Sequence, residues 1–511
     1  MVLGIDLGTS NTVSASLTRD GSPVLIPDAY NKIQQTTPSV VLIEGKKAFA
    51  GGFAESLFES FPDKQIITYF KRSFGTQEPV YFDDYKNPWF SETVASLLIK
   101  KIKNDAELYL PDGFRQAVIT VPAHYNDIQR KSVIEAAKLA DLELSAIIEE
   151  PVAAALFYSS FNKNIDEEII LIYDFGGGTF DLTLITKNGN QLNVIAKDGI
   201  NKLGGKEFDE IVYTTIKENY EKGLKCPFPT DKLTANRIQK VAENIKIELN
   251  AAEMPLNLSK WIIIGRDAFE STFYYDSYAA KANQLIAKTE IAVNRCLRSL
   301  GMQFSDINKM VLTGGTSSSR LVYNFWKQKI GPKQELVYHQ PLSSVAKGAA
   351  IYAASFNNED KQKSNAKEIE LIDLKSVSTY NIGLAIANDP AGDIALLVHR
   401  NTPLPVIAKK VYKVNPQKSE FVNLELCQYW DVKEDVHKLG TIKCGPFQVF
   451  AEFYLEVIIE NRLNGTIGIK LKNADNGKDI KFEFIRKESD HKYDYVQQKA
   501  LVEGIYLNNY L

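Results

Sequence analysis

Apolar residues along most of this chain come in short runs closed by glycine or proline. AVITV (117–121) stops at Pro122, and IILIYDF (169–175) stops at Gly176. Runs of that length between turn formers predict buried strands. Elsewhere the spacing lengthens. From about Asp127, the residues Val133, Ala136 or Ala137, and Ala140 share one helical face, and IIEEP (147–151) leads into the helix former VAAALFYSSF. Up to about residue 356 this alternation predicts sheets covered by helices.

The pattern then changes. NNEDKQKSNAKEIE (357–370) carries seven charges in fourteen residues and almost nothing to bury, which marks a boundary. The apolar LIDL (371–374) that follows needs a docking surface. Beyond it, VNLELCQYW (422–430), FYLEVIIENRL (453–463) and TIGIKL (466–471) alternate, and Asn464-Gly465 and Asn476-Gly477 mark turns. The expected organisation is an α/β domain over 1–356, a charged linker over 357–376, an all-β sandwich over 377–487, and a short helical remnant over 488–511.

Composition narrows the function. At 511 residues, 44% hydrophobic and 24% charged with a net charge of -3, the chain gives no reason to expect nucleic acid or an anionic membrane as partner. The four cysteines are scattered, without the spacing of a zinc site or a disulfide framework. No apolar run reaches spanning length and the N-terminus shows no export signal, so a cytoplasmic globular protein is expected, with secretion as an effector still open.

One motif occurs twice. DFGGGTFDLT (174–183) is a strand, a glycine turn and a second strand, and GIDLGTSNTV (4–13) repeats that plan. Glycine turns let backbone N–H groups approach a polyphosphate. Two facing copies would enclose one, with Asp6 and Asp174 beside it for a hydrated magnesium ion.

These motifs have company. GIDLGTSNT, FKRSFG, AVITVPAHYND followed by QR, IIEEPVAAAL, YDFGGGTFDLT, LGGKEFD, KIEL and LTGGTSSS resemble, in order and spacing, the 70-kDa heat-shock chaperones of DnaK type. RNTPLP, LELCQYW and LNGTIGIKLKNADNGKDIKF extend the resemblance to about residue 487. It implies an actin-like ATPase domain of two lobes, with a duplicated ribonuclease H-like fold, followed by a peptide-binding β-sandwich. Gly8, Thr9, Ser10 and Asn11 would form one phosphate loop, and Gly176, Gly177, Gly178 and Thr179 the other. Lys71, Glu150, Asp174 and Thr179 would serve hydrolysis, and Asp6 and Asp174 would hold magnesium through water. Gly204, Gly205, Lys206, Glu243, Lys246 and Asn250 would line ribose and adenine opposite Gly314, Gly315 and Thr316. In the sandwich, Val422 would form the apolar peptide pocket with Tyr412, Leu424 and Leu426, and Ala387 and Asn415 would lie near the arch over the peptide. Asp181 has no assigned step, and the histidines are given no chemistry.

Departures from the family pattern fall around the core motifs. Lys206 replaces an acid at the ribose, where it either loses an acceptor or reaches phosphate. Ser318 replaces an arginine near adenine, and Leu342-Ser343 removes a carboxylate tied to potassium, which leaves K+ undecided beside ATP/ADP and Mg2+. His124 replaces a tyrosine, while Ala146 and Val152 alter the J-domain contact. The segment grasped by nucleotide exchange factors is short, and a long helical lid does not follow the sandwich. The implied activity is an ATP-dependent chaperone for extended apolar peptides. The alternative is a nucleotide-gated protein that binds one dedicated partner.

Overall fold

A computed structural model describes residues 1–33, 35–61, 64–162, 167–251, 256–356, 373–386, 393–415, 420–430, 436–447, 452–486 and 493–508. The charged stretch 357–370 and Ala387 lie outside them. Two six-stranded sheets share one strand order. In the first, Val2–Asp6 pairs antiparallel with Asn11–Leu17 and, on its other edge, parallel with Gln116–Val121; Ala146–Glu149 follows in parallel. In the second, Glu168–Phe175 pairs antiparallel with Phe180–Asn188 and parallel with Lys309–Thr313, beyond which lies Glu335–Val337. The repeated motif of the sequence is therefore the central hairpin of each sheet.

Two helices, Glu150–Phe161 and Ser344–Ala354, fill the space between the sheets. Their alanines are buried in one core with Val2, Val13 and Val118 of the first sheet and Ile170, Ile172 and Val311 of the second. Small side chains suit this place because the helices nearly touch: a Cβ on Gly348 would lie 1.7 Å from the Ala153 carbonyl oxygen. Each sheet buries its other face under helices of its own. Ser91–Tyr109 and Asp127–Leu139 cover the first, and Gly205–Leu224, Lys232–Leu249 and Tyr275–Arg298 the second. Asp127–Leu139 starts where the sequence predicts, closed by a reciprocal capping box between Asn126 and Gln129.

Past residue 376 the described chain is β-structure up to Ile485. A five-stranded and a three-stranded sheet share one core, with Ile382, Leu424, Leu426 and Ile442 facing Leu455, Val457, Ile459 and Leu471. Asn464-Gly465 makes the turn between Phe453–Asn461 and Ile467–Asn473, with Gly465 at φ 74. Leu371 and Ile372 of LIDL lie outside the described residues, and the chain resumes at an edge of the second sheet. Asp373–Lys375 adds there in parallel to Gln191–Asn193.

The sandwich is docked against both halves of the α/β part. Asp127 accepts from Ile467 N at 2.7 Å, and its own N–H donates to Gln428 Oε1 at 2.9 Å. Arg130 donates to Asn464 O at 2.9 Å and to Glu149 at 2.8 Å. Lys197, also paired with Glu149, donates to Ser376 Oγ and Val377 O at 2.9 and 2.7 Å. After the sandwich, helix Tyr495–Gly504 and strand Tyr506–Leu507 return to the first half, where the strand pairs with Lys47–Ala48. Among the described residues, no helix is long and apolar enough to cross a membrane.

Candidate functional site

The two glycine turns face one another across the cleft between the sheets. A Cβ on Gly177 would lie 2.5 Å from Ser10 Oγ, and one on Gly178 would lie 2.7 Å from Thr9 Oγ1. A larger residue at either turn would have to displace the facing side chain. Gly204 is pressed against the same turn, and the N–H groups of Gly205 and Lys206 donate to Gly176 O and Gly177 O at 3.0 and 2.9 Å. Thr316 Oγ1 closes the other side on Gly176 O at 2.7 Å. Gly314, at φ 87, has Asp174 Oδ1 where a side chain would begin.

Between the turns lies a buried charge cluster. Lys71 sits on the short helical turn Phe70–Ser73 and bonds Glu150 Oε1 at 2.6 Å, although 79 residues separate them. Both are buried. Asp6 ends the central strand of the first sheet and Asp174 is the penultimate residue of its counterpart in the second, and Thr120 donates to Asp6 at 3.2 Å. Burial, then the nearby Glu150 carboxylate, pushes Asp6 up to about 7. Burial also holds Glu150 above its usual range and Asp174 well above it, with Lys71 pulling the other way in each case.

That excess of buried acid suits a divalent cation. Among the described residues, no three His, Cys, Asp or Glu side chains converge as a ligand set. An ion at Asp6 and Asp174 would keep water and phosphate oxygens as its remaining ligands. This is the preference of magnesium.

A cavity of about 380 Å3 opens from the first turn, lined by Thr9, Ser10, Asn11, Tyr69, Lys206 and Glu243 among others. Lys206 lies over the Tyr69 ring at 4.7 Å, so this cation shares the cavity with the first turn. Lys246 pairs with Asp209 at 2.7 Å, and Asn250 bonds Tyr278 and Ser319 at 2.9 and 2.6 Å. Gly315 follows Gly314 on the loop that Thr316 ties to Gly176. Gly205, Lys246 and Thr316 thus come together beside the second turn, and Lys206 and Glu243 line the cavity that opens from the first.

The sandwich positions divide differently. Leu424 and Leu426 are 1% exposed and belong to its core, while Tyr412 and Val422 are half-buried at the margin. Asn415 bonds Glu452 at 3.2 Å.

Some partners were not legible in the motifs. Arg72 donates to Gly178 O at 2.8 Å and makes two bonds of 3.0 Å to Glu207, whose carboxylate also accepts from Gly204 N at 2.7 Å. Arg72 follows Lys71 and Glu207 follows Lys206, so an acid persists one position from where the family places it. Asp181 has a partner in His124, at 2.7 Å. Lys240 bridges Glu55 and Glu243 at 2.6 and 2.9 Å, joining the first half to the second at the cavity.

The family model described as "Hsp70 protein" matches residues 83–443. A "Chaperone protein DnaK" from Thermosipho melanesiensis is 32% identical over 425 residues, covering 80% of this chain and 67% of its own length. Another from Thermotoga petrophila is 30% identical across 99% of this chain and 86% of its own length.

Proposed function

The chain belongs to the Hsp70 protein family, and we propose that its cleft is the ATP site of a DnaK-type chaperone whose hydrolysis gates peptide binding in the sandwich. The protein is an ATP-dependent chaperone of Hsp70 type and an ATPase. The observation that carries the site assignment is the buried Lys71–Glu150 pair, set between two facing glycine turns and flanked by Asp6 and Asp174.

On this proposal the two halves of residues 1–356 are the lobes of an actin-like ATPase domain, which the shared strand order of the two sheets supports. The turns at Gly8–Asn11 and Gly176–Thr179 take the phosphates. Lys71 meets the γ-phosphate, Thr179 supports it, and Glu150 with Asp174 orients the attacking water and receives its proton. Bound magnesium supplies charge neutralisation at the phosphates. Glu243, Lys246, Asn250 and the loop Gly314–Thr316 hold the nucleoside, with Lys206 as an added cation toward phosphate.

The sandwich, placed at 377–487, takes extended apolar peptide through backbone pairing and a side-chain pocket at Val422 and Tyr412, backed by Leu424 and Leu426. The segment 357–376 is the linker between the two activities, and after the sandwich helix Tyr495–Gly504 and strand Tyr506–Leu507 fold back onto the first half. J-domain and exchange-factor partners are proposed with altered contacts at Ala146, Val152 and the shortened 250–274 region.

ATP turnover of Glu150→Ala and Thr179→Ala tests the assignment. Each variant should lose at least about a hundredfold in turnover, the scale of a displaced general base or transition-state contact. Wild-type turnover in both would refute it.

A further inference from the structure

We infer that the cavity beside the first turn takes adenine nucleotides carrying a further phosphate on the ribose, and that Lys206 is the residue that selects them. The inference rests on the nucleotide reading proposed above.

Most cations that the cleft brings together are already matched. Lys71 bonds Glu150 at 2.6 Å, Arg72 meets Glu207 at 3.0 Å, and Lys246 meets Asp209 at 2.7 Å. Lys240 lies between Glu55 and Glu243, at 2.6 and 2.9 Å. Lys206 is the exception. Its half-buried ammonium lies over the Tyr69 ring, 4.7 Å from the centroid, and no carboxylate among the described residues pairs with it. The neighbouring Glu207 is turned to Arg72 and to Gly204 N. Glu210, one helical turn further on, lines the same cavity but is exposed.

The place of that charge decides what it can meet. Lys206 is the second residue of helix Gly205–Leu224, and its backbone N–H donates to Gly177 O at 2.9 Å, which fixes it against the second turn. Its side chain reaches across to Tyr69 of the first half. The cavity of about 380 Å3 that both line also includes Thr9, Ser10 and Asn11 of the first turn and Glu243 of the nucleoside group. With phosphates at the turns and the nucleoside toward Glu243, the ribose falls within this cavity, beside Lys206.

The 5′ chain has its own positive charge in Lys71 and bound magnesium. A free ribose hydroxyl is neutral and leaves the charge of Lys206 unopposed. A phosphate ester at that hydroxyl supplies both the opposite charge and acceptor oxygens, and such charge-assisted bonds are roughly twice as strong as neutral ones. Dinucleotide-binding folds make the same exchange, with an acid for the free ribose hydroxyl and a cation for the ribose phosphate. Lys206 stands where the family pattern has an acid.

Isothermal titration calorimetry of the full chain, at fixed magnesium and salt, tests this. The ligands are ADP, adenosine 5′-diphosphate 3′-phosphate and its 2′-phosphate isomer, which separates the two ribose positions. One isomer should bind wild type at least about tenfold more tightly than ADP. The ratio of isomer to ADP affinity is the reading, so a general loss of binding in a variant does not imitate the effect. In Lys206→Gln the ratio should fall to about twofold or less, and Lys206→Arg, which keeps the charge, should retain most of it. Wild type that binds neither isomer more tightly than ADP would overturn the inference. A ratio that survives Lys206→Gln, or that Lys206→Arg loses as fully as Lys206→Gln, would overturn it equally. If wild type binds none of the three ligands, the nucleotide reading beneath it falls instead.

Discussion

Asp6, Glu150 and Asp174 lie close enough to one another and to Lys71 that none of their charges is independent of the others. Without nucleotide this cluster costs stability. Asp6 lies near 3.8 when unperturbed and at about 7 in the folded protein. A group raised on folding contributes stability that is complete below its unfolded value and is lost as pH climbs through the folded one. The nucleotide-free protein should therefore weaken between about pH 4 and about pH 7 through this residue. Asp6→Asn should raise the melting temperature at pH 8 more than at pH 5. Calorimetry at both pH values checks this, and an equal shift would mean that Asp6 is not charged in isolation. At this scale the motifs pointed to most of the candidate site, because glycine turns and aspartates near strand ends are local in sequence. What they could not give were pairings set by the fold. Arg72 and Glu207 are 135 residues apart, and His124 and Asp181 are 57 apart. Each looks like an ordinary surface charge until the sheets bring it inward.

The elements that periodicity predicted are those with long apolar faces, such as Asp127–Leu139 and the strands of the two central hairpins. The segment after the sandwich was harder to read. Its helix is weakly patterned and its strand is only two residues long. Their stability comes from the surface that receives them. Val502, Ile505 and Leu507 complete the core of the first half, and Gln498, 0% exposed, bonds Thr93 Oγ1 at 2.5 Å and Pro88 O at 3.1 Å. An unpaired charge at Val502 has no place in that core. Val502→Asp should release the tail rather than unfold the domain. Limited proteolysis should then cut near residue 493 many times faster, with ATP turnover retained. Unchanged cleavage would show that the tail is held by its polar contacts alone. LIDL is the converse case: its apolar character predicted docking, and of its four residues Asp373 and Leu374 are described, at the start of the edge strand Asp373–Lys375.

For the molecule as a whole, the sandwich is held to the α/β part by buried charge as well as apolar contact. Arg130, Glu149 and Lys197 form one cluster, and Asp127 receives a sandwich backbone N–H. Removing Glu149 leaves Arg130 and Lys197 buried without their shared carboxylate, which costs on the order of 3 kcal/mol. Asp127→Ala should loosen docking and reduce the difference that nucleotide makes to peptide binding. A variant that keeps the full nucleotide effect would place the coupling elsewhere. The shared strand order of the two sheets was foreshadowed by the repeated glycine motif. The docked position of the sandwich was not, since it depends on contacts such as Asp127 to Ile467 across 340 residues. The central claim is that ATP in the cleft controls the sandwich. Fluorescence anisotropy of a labelled extended apolar peptide, titrated with protein in saturating ATP and then in ADP, tests it most directly. The Glu150→Ala variant prevents turnover during the ATP arm. Affinity should be at least about tenfold weaker with ATP, a coupling of about 1.4 kcal/mol. Equal affinities with both nucleotides fully bound would contradict the account.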